Sequence, residues 1–337
     1  MAVIGTGAYT FADLAVALNG QGNGLAPTVE MLAKAHPILE DIPWKEGNLI
    51  TGHKTTMRTS LPSGTWRLLN SGALLGKSTK AVIEDNCAIL EGYNQIDIDL
   101  ADLGGNAAAF RADEDSAFVE GYGQQVAETL VYGNTAVAPG SFIGLAPRYS
   151  SLTTAGSAGE ASVNVINGAG AGSDNASIYL IGWSDKTVCG IYPKGSTAGL
   201  DIKDVSTAAP VSDGAGGYYQ VYMTKFQWKC GLSVRDWRYV VRIANIDVSD
   251  LAGGSPANII NLMIRALSKV KGLPGSGGVQ WRFYVPPVVD TWLDIQATNK
   301  SNVWLGVGEA GGMPFTTFRK VPIRVMDQLL ATETAIS

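Results

Sequence analysis

Apolar and polar positions change rhythm several times along this chain, and each change predicts an element. Residues 51–60 and 79–90 are rich in Thr, Val and Ile and partly alternate, as half-buried strands do. With the turn region between them they predict one long hairpin over residues 47–90. Its tip, residues 61–78, holds Pro62, Gly64, Gly72 and Gly76, yet also Trp66, Leu68, Leu69, Leu74 and Leu75. An isolated two-stranded ribbon is marginally stable in water, and this one has nothing of its own to bury its tip against. Apolar side chains in such a tip imply a partner. These five residues are therefore the candidate inter-subunit contact, and the chain reads first as a building block.

Around the hairpin the pattern is mixed. Residues 1–46 form an arm with two short helices, 13–18 and 28–36, the second capped by Thr28 and stopped by Pro37. Residues 93–103 alternate Ile96, Ile98 and Leu100 with Asp97 and Asp99, which fits a strand with one wet face or the run into a helix. A long helix is predicted over 106–132, capped by Asn106 and ended by Gly133-Asn134. Val119, Tyr122, Val126 and Leu130 give it one apolar stripe. Gly121 and Gly123 each weaken it by about 1 kcal/mol relative to Ala, so they point to a bend or a close backbone contact.

Residues 150–176, rich in Gly, Ala, Ser and Asn, read as a surface loop. The sequence then turns to strands. Residues 177–183 and 187–192 flank Ser184-Asp185-Lys186 as a hairpin. Strand 218–228 places Tyr218, Tyr222, Phe226 and Trp228 on one face. Another strand, 232–246, sets Trp237, Tyr239, Val241 and Ile243 opposite Arg238 and Arg242. Further on, Ser255-Pro256 starts a helix that Gly272 closes, with Ile259, Met263, Ala266 and Val270 as its core stripe. A strand at 280–285, a helix at 287–297 with Val289, Trp292 and Leu293 inward, and strands at 303–305 and 321–325 complete the chain. No internal repeat is visible.

Composition sharpens this picture. The 337 residues allow two compact units with extensions, and 46% hydrophobic content allows a large core. Charged residues are only 16%, against roughly 25% in average soluble proteins. A chain so poor in charge is either unusually compact or covers much of its surface with copies of itself. The net charge is −5 and no Lys/Arg run exceeds two, which argues against binding nucleic acid through a broad basic surface. Cys87, Cys189 and Cys230 are far apart and odd in number, without a CxxC pair, so buried free thiols are expected rather than zinc or disulfides. Residues 1–7 lack the features of a signal peptide, and no apolar run approaches the ~20 residues of a membrane helix. The expectation is folding in a cytoplasm.

Candidate chemistry adds little. Gly76-Lys77-Ser78 matches the end of a phosphate-binding loop, but Ser71 stands where the motif needs glycine and no buried strand leads into it. Gly5-Thr6-Gly7 lacks the third glycine of a dinucleotide fingerprint. Only two histidines exist, His36 and His53, and no Gly-x-Ser-x-Gly elbow accompanies them. The acids from Asp97 to Asp102 begin like a calcium loop but have Ala101 at a ligand place and no glycine at the sixth. Asp113-Glu114-Asp115 lies early in the long helix, where acids suit the macrodipole. The aromatics from Tyr218 to Tyr239 read as sheet packing. No catalytic residue, metal ligand or cofactor is assigned.

The order of parts carries a resemblance. The arm, the long hairpin, the long helix and then Phe142-Ile143-Gly144-Leu145-Ala146-Pro147-Arg148-Tyr149 resemble the major capsid proteins of tailed bacteriophages, with Gly144-Leu145 matching that family's element after its spine helix. Trp281-Arg282-Phe283-Tyr284-Val285 leading into a helix, and Phe318-Arg319-Lys320-Val321-Pro322-Ile323, are similar to late elements of the family, with Lys320 where glycine is usual. The likeness spans nearly the whole chain and is nearest to head proteins of short-tailed phages.

That resemblance implies an α+β, Hong-Kong-97-like capsid fold. Its parts are an N-terminal arm (1–46), an extended hairpin or E-loop (47–90), a peripheral domain with the spine helix (91–150), a loop with peripheral antiparallel strands (151–250) and an axial α/β domain (251–337). Because the strands at 177–246 precede the late helix, it also implies a rearranged connectivity. The function implied is a self-assembling icosahedral shell in the virion, built from hexamers and pentamers in the host bacterial cytoplasm. The shell would enclose double-stranded DNA without sequence-specific binding and without a membrane. Scaffolding, portal and decoration proteins stay open as partners. An encapsulin-like compartment shell, a β-rich receptor- or carbohydrate-binding module and a nucleotide-hydrolysing enzyme resting on Gly76-Lys77-Ser78 are the alternatives. Nothing in the sequence marks Lys77 as a cross-link donor.

Overall fold

The computed structural model describes residues 34, 36–103, 106–152, 161–212, 216–253, 256–273, 278–298, 305–310 and 313–337. The helices expected at 13–18 and, in the main, 28–36 lie outside them. In chain order the elements are α1 (Ile38–Asp41), β1 (Trp44–Glu46), β2 (Gly52–Ser60), β3 (Thr79–Asp97), α2 (Ile98–Leu103), α3 (Ala107–Tyr132) and α4 (Leu145–Arg148). There follow β4 (Val165–Asn167), β5 (Asn175–Trp183), β6 (Val188–Tyr192), β7 (Leu200–Ser212), β8 (Tyr218–Val234) and β9 (Val240–Asp247). The chain closes with α5 (Ile259–Val270), β10 (Gln280–Val285), α6 (Pro287–Thr298), β11 (Leu305–Ala310), β12 (Met313–Phe318) and β13 (Val321–Val325).

Two compact units share the chain, and β3, α3 and β8 pass from one into the other. The larger comprises Lys34–Ala88, Ala127–Ser196 and Cys230–Ser337. In it β5 lies between β9 and β10, both antiparallel to it, and β13 runs parallel to β10. The α5 stripe Ile259, Met263, Ala266 and Val270 and the α6 residues Val289 and Leu293 bury against Ile178, Leu180, Val241, Ile243 and Phe283. Burying such a side chain is worth about 1.5–3 kcal/mol, so this sandwich of helices on sheet is what holds the unit. Trp292 packs at its margin, partly buried.

The smaller unit contains Ile89–Val126 and Thr197–Lys229. There β7 pairs antiparallel with β8 over a long register from Leu200–Trp228 to Ser212–Tyr218. Phe226 is buried, stacked on Phe118 at 5.2 Å and edge-on to Tyr122 at 6.0 Å. Gly92 sits where a Cβ would lie 1.8 Å from the Tyr122 hydroxyl, so a larger residue there would displace that ring's tip. Asp97 ends β3 and accepts the Asp99 N–H at 2.9 Å, turning the chain into α2. Residues 93–103 are thus strand first and helix after. Asn106 caps α3 as expected, accepting the Ala109 N–H at 3.2 Å. Along its stripe Val126 and Leu130 are buried but Val119 is 41% exposed.

Four local expectations are corrected. The 150–176 stretch is not only a surface loop: β4 pairs parallel with β9, and Val165 and Ile166 are buried. Its glycines permit this, because a Cβ at Gly168 would lie 2.5 Å from the Asn245 carbonyl oxygen. Residues 177–192 form no antiparallel hairpin; β5 and β6 touch as a parallel pair at Trp183 and Val188, while β6 runs antiparallel to β8. The strand expected at 232–246 is broken by a single 3-10 turn at Trp237–Tyr239, capped by the Asp236 side chain. Finally, α5 begins at Ile259 and is capped by Asn258, which accepts the Asn261 N–H, so Pro256 is not its first residue; Ser255 lies outside the described residues. The strands within 177–246 are shared between units: β5, β6 and β9 lie with α5 and α6, whereas β7 and most of β8 do not.

Candidate assembly surface

The hairpin begins with its register. Gly52 pairs with Asn86 and Arg58 with Lys80 across an antiparallel ladder, and a bulge between Arg58 and Ser60 ends the regular pairing. Beyond it the chain carries no strand from 61 to 78. There Trp66, Leu68, Leu69, Leu74 and Leu75 are 102%, 82%, 92%, 82% and 104% exposed. All five candidate contact residues lie together at the free end. Leu61, at 76%, joins them.

The root of the hairpin is built differently. Asp85 on β3 is buried and accepts from Arg148 Nη2 at 2.7 Å and from Ser233 Oγ at 2.9 Å. His53 on β2 is buried as well, with its Nε2 2.7 Å from Arg235 Nη2. Arginine has only donors, and the Asn48 backbone N–H points at Nδ1 from 3.3 Å, so both ring nitrogens face donors, which disfavours the protonated ring. Burial first, then the charges of Arg235 and Lys45, lower the His53 pKa below its usual value. Asn48 brackets Lys54, donating to its carbonyl at 2.8 Å and accepting its N–H at 2.7 Å. At Gly52 a Cβ would lie 2.1 Å from the Asp85 carbonyl oxygen, so the two arms meet there at backbone distance.

Of these root residues the sequence singles out only His53, as a histidine, and Arg148, within the motif 142–149, and it gives neither a partner. Their partners are remote: Arg148 reaches Asp85 across 63 positions and Arg235 reaches His53 across 182. An Asp within an alternating strand carries no signal that an arginine will find it. The Gly144-Leu145 element does have a local cause. Leu145 is fully buried, and a Cβ at Gly144 would lie 2.7 Å from the Thr129 and Val131 carbonyl oxygens. Gly144 donates its N–H to the Gly133 carbonyl at 2.8 Å, which folds the chain back at the end of α3 and aims Arg148 at the root.

The remaining motifs have structural places. Gly76-Lys77-Ser78 lies in the exposed tip, with no helix following it. Asp115 accepts from Asn94 at 2.7 Å, and Tyr239 stacks on Trp281 at 5.7 Å. Burial pushes the thiols up, to about 11 for Cys87 and Cys189 and about 12 for Cys230. Among the described residues no group of His, Cys, Asp or Glu is arranged to hold a metal, and no helix is long and apolar enough to cross a membrane.

A projecting hairpin, a long helix and a helix-covered sheet with this element order define a Hong-Kong-97-like phage capsid fold. A family model described as major capsid protein GP7 matches residues 20–337. The chain belongs to that family. A chain in the structure of bacteriophage epsilon15 is 31% identical, covering 100% of this chain and 99% of its own length, with a TM-score of 0.74. The capsid of bacteriophage JBD30 is 9% identical over 89% of this chain and 93% of its own, with a TM-score of 0.46. The capsid of an empty GTA particle is 7% identical over 69% of this chain and 97% of its own, with a TM-score of 0.44. No curated protein matches the chain. The protein is a phage major capsid protein, a structural subunit of an icosahedral shell that copies of itself assemble.

Proposed function

We propose that the hairpin lies across an adjoining copy in the shell and buries Trp66, Leu68, Leu69, Leu74 and Leu75 there. The observation that carries this reading is their exposure, each at 82% or more, at the end of a ribbon whose root is pinned by buried polar contacts. Side chains of this size give about 1.5–3 kcal/mol each when buried. Five of them contribute on the order of 10 kcal/mol gross, against association costs of about 4–15 kcal/mol. Contacts from several neighbours then decide assembly. Such head-to-tail contacts close into rings of six and five when the rotation allows.

The role is architectural rather than enzymatic. The net charge of −5 suits a container that encloses double-stranded DNA without gripping its sequence. Arm 1–46, hairpin 47–90, the peripheral segments 91–150 and 151–250 and the axial segment 251–337 are the working parts of this reading. Assembly takes place in the host bacterial cytoplasm, and scaffolding, portal and decoration proteins are the further partners such a shell accommodates. The family match favours this reading over a compartment shell or a receptor-binding module. The test is Leu74→Asp with Leu75→Asp in the full chain. Electron microscopy and size-exclusion chromatography should show soluble subunits and no shells; intact particles would end the proposal.

A further inference from the structure

A groove of about 750 Å³ runs beside the hairpin's first arm, within the larger unit. One wall is residues 55–59 of β2, and the other is Lys186 with residues 235–238. Five consecutive strand residues line it. A strand that presented a face would line it with alternate residues, so β2 offers its edge. Among the described residues β2 pairs with β3 alone, which leaves its outer row of N–H and C=O groups open along the groove. Open edges of this kind recruit another extended chain.

The charge of the groove selects which chain. Among the described residues Arg58 and Lys186 form no ion pair, and Arg235 is held by His53 Nε2 and the Asp185 carbonyl, neither of them an anion. Arg238 is the exception, paired with Asp236 at 2.7 Å. Four cations therefore face one carboxylate, in a protein whose net charge is −5. Trp237 and Met57 add apolar surface between them. We infer that this groove binds an extended acidic peptide segment, supplied by another protein chain, as an added strand on β2. Main-chain hydrogen bonds would give affinity and the cations would select acidic side chains. Nucleic acid fits less well, because half of the open edge is carbonyl oxygen, which repels phosphate. This surface is separate from the hairpin tip, and the inference does not depend on where the tip docks.

The probe is a fluorescent ten-residue peptide alternating Glu and Val, titrated against the full chain purified as unassembled subunits. Binding should weaken at least tenfold in Arg58→Glu with Lys186→Glu, and stay within twofold in Arg58→Lys with Lys186→Arg. Both pairs are exposed, so far-UV circular dichroism should be unchanged. Hydrogen exchange should show new amide protection within residues 55–59 when the peptide is bound. The inference is overturned if the peptide does not bind, if the Glu variant binds equally, or if residues 55–59 gain no protection. It is likewise overturned if a duplex DNA oligonucleotide displaces the peptide as well as unlabelled peptide does.

Discussion

Arg148 donates to Asp85 at 2.7 Å, tying the short helix after α3 to the root of the projecting hairpin. Asp85 is only 3% exposed, and its other oxygen is taken by Ser233. Removing one partner of a buried ion pair leaves an uncompensated charge and costs about 3–5 kcal/mol. Arg148→Ala should therefore lower subunit stability by about 3 kcal/mol in denaturant titrations, because Asp85 keeps one donor. A change below 0.5 kcal/mol would mean that the pair does not brace the root.

The tip should behave in the opposite way. Leu74 and Leu75 are 82% and 104% exposed, and substitutions at such positions stay within about 0.5 kcal/mol. Leu74→Asp with Leu75→Asp should leave the denaturant midpoint of unassembled subunits unchanged while abolishing shells. A large loss of subunit stability would place these side chains inside their own molecule.

Acid should weaken the root through His53. Its pKa is lowered in the folded state by burial and by Arg235, so the unfolded chain takes up the proton first. The stability it contributes is complete above about pH 6.5, the unfolded value, and is lost as pH falls from there through the folded value. His53→Gln should lose less stability than wild type between pH 7.5 and pH 5.5. Equal losses would assign the acid sensitivity elsewhere.

A second buried pair secures the chain's last residues. Arg242 Nη2 donates to Glu333 at 2.7 Å, Ser177 and Tyr132 also donate to that carboxylate, and both groups are nearly inaccessible. Asn245 holds Ile336 at both its carbonyl and its N–H, each at 2.9 Å. Glu333→Ala should cost about 3–5 kcal/mol and speed hydrogen exchange at Ile336. Unchanged exchange there would show that Asn245 holds the segment unaided.

Glycine substitutions test the close approaches. A Cβ at Gly52 would lie 2.1 Å from a backbone oxygen that cannot turn aside. Gly52→Ala should destabilise by about 1–3 kcal/mol, whereas Gly121→Ala, with open space around it, should be neutral or stabilising. Thermal unfolding of the two variants should move in opposite directions or differ by several degrees.

Periodicity made much of this molecule legible. The stripes of α5 and α6 follow a helical repeat, and all four predicted α5 residues are buried. The hairpin was readable because apolar residues crowded a turn-rich tip. What escaped depends on distant partners. Whether Val188 continues a hairpin or joins β8 is decided by pairing with Val234, far along the chain. The 150–176 stretch looked unpatterned because its glycines serve close packing against Asn245, which no repeat reveals. The polar root was hidden for the same reason, since Asp85, Arg148 and Arg235 look like ordinary surface charges until the fold gathers them.

The fully exposed tip separates two kinds of failure. Folding draws on the sandwich around α5 and α6, while joining, in the proposed assembly, draws on side chains that the lone subunit leaves exposed. Heat or denaturant should then take the shell apart into intact pieces before those pieces melt, and on cooling the pieces are ready to rejoin without refolding. A container built this way is repaired at its seams.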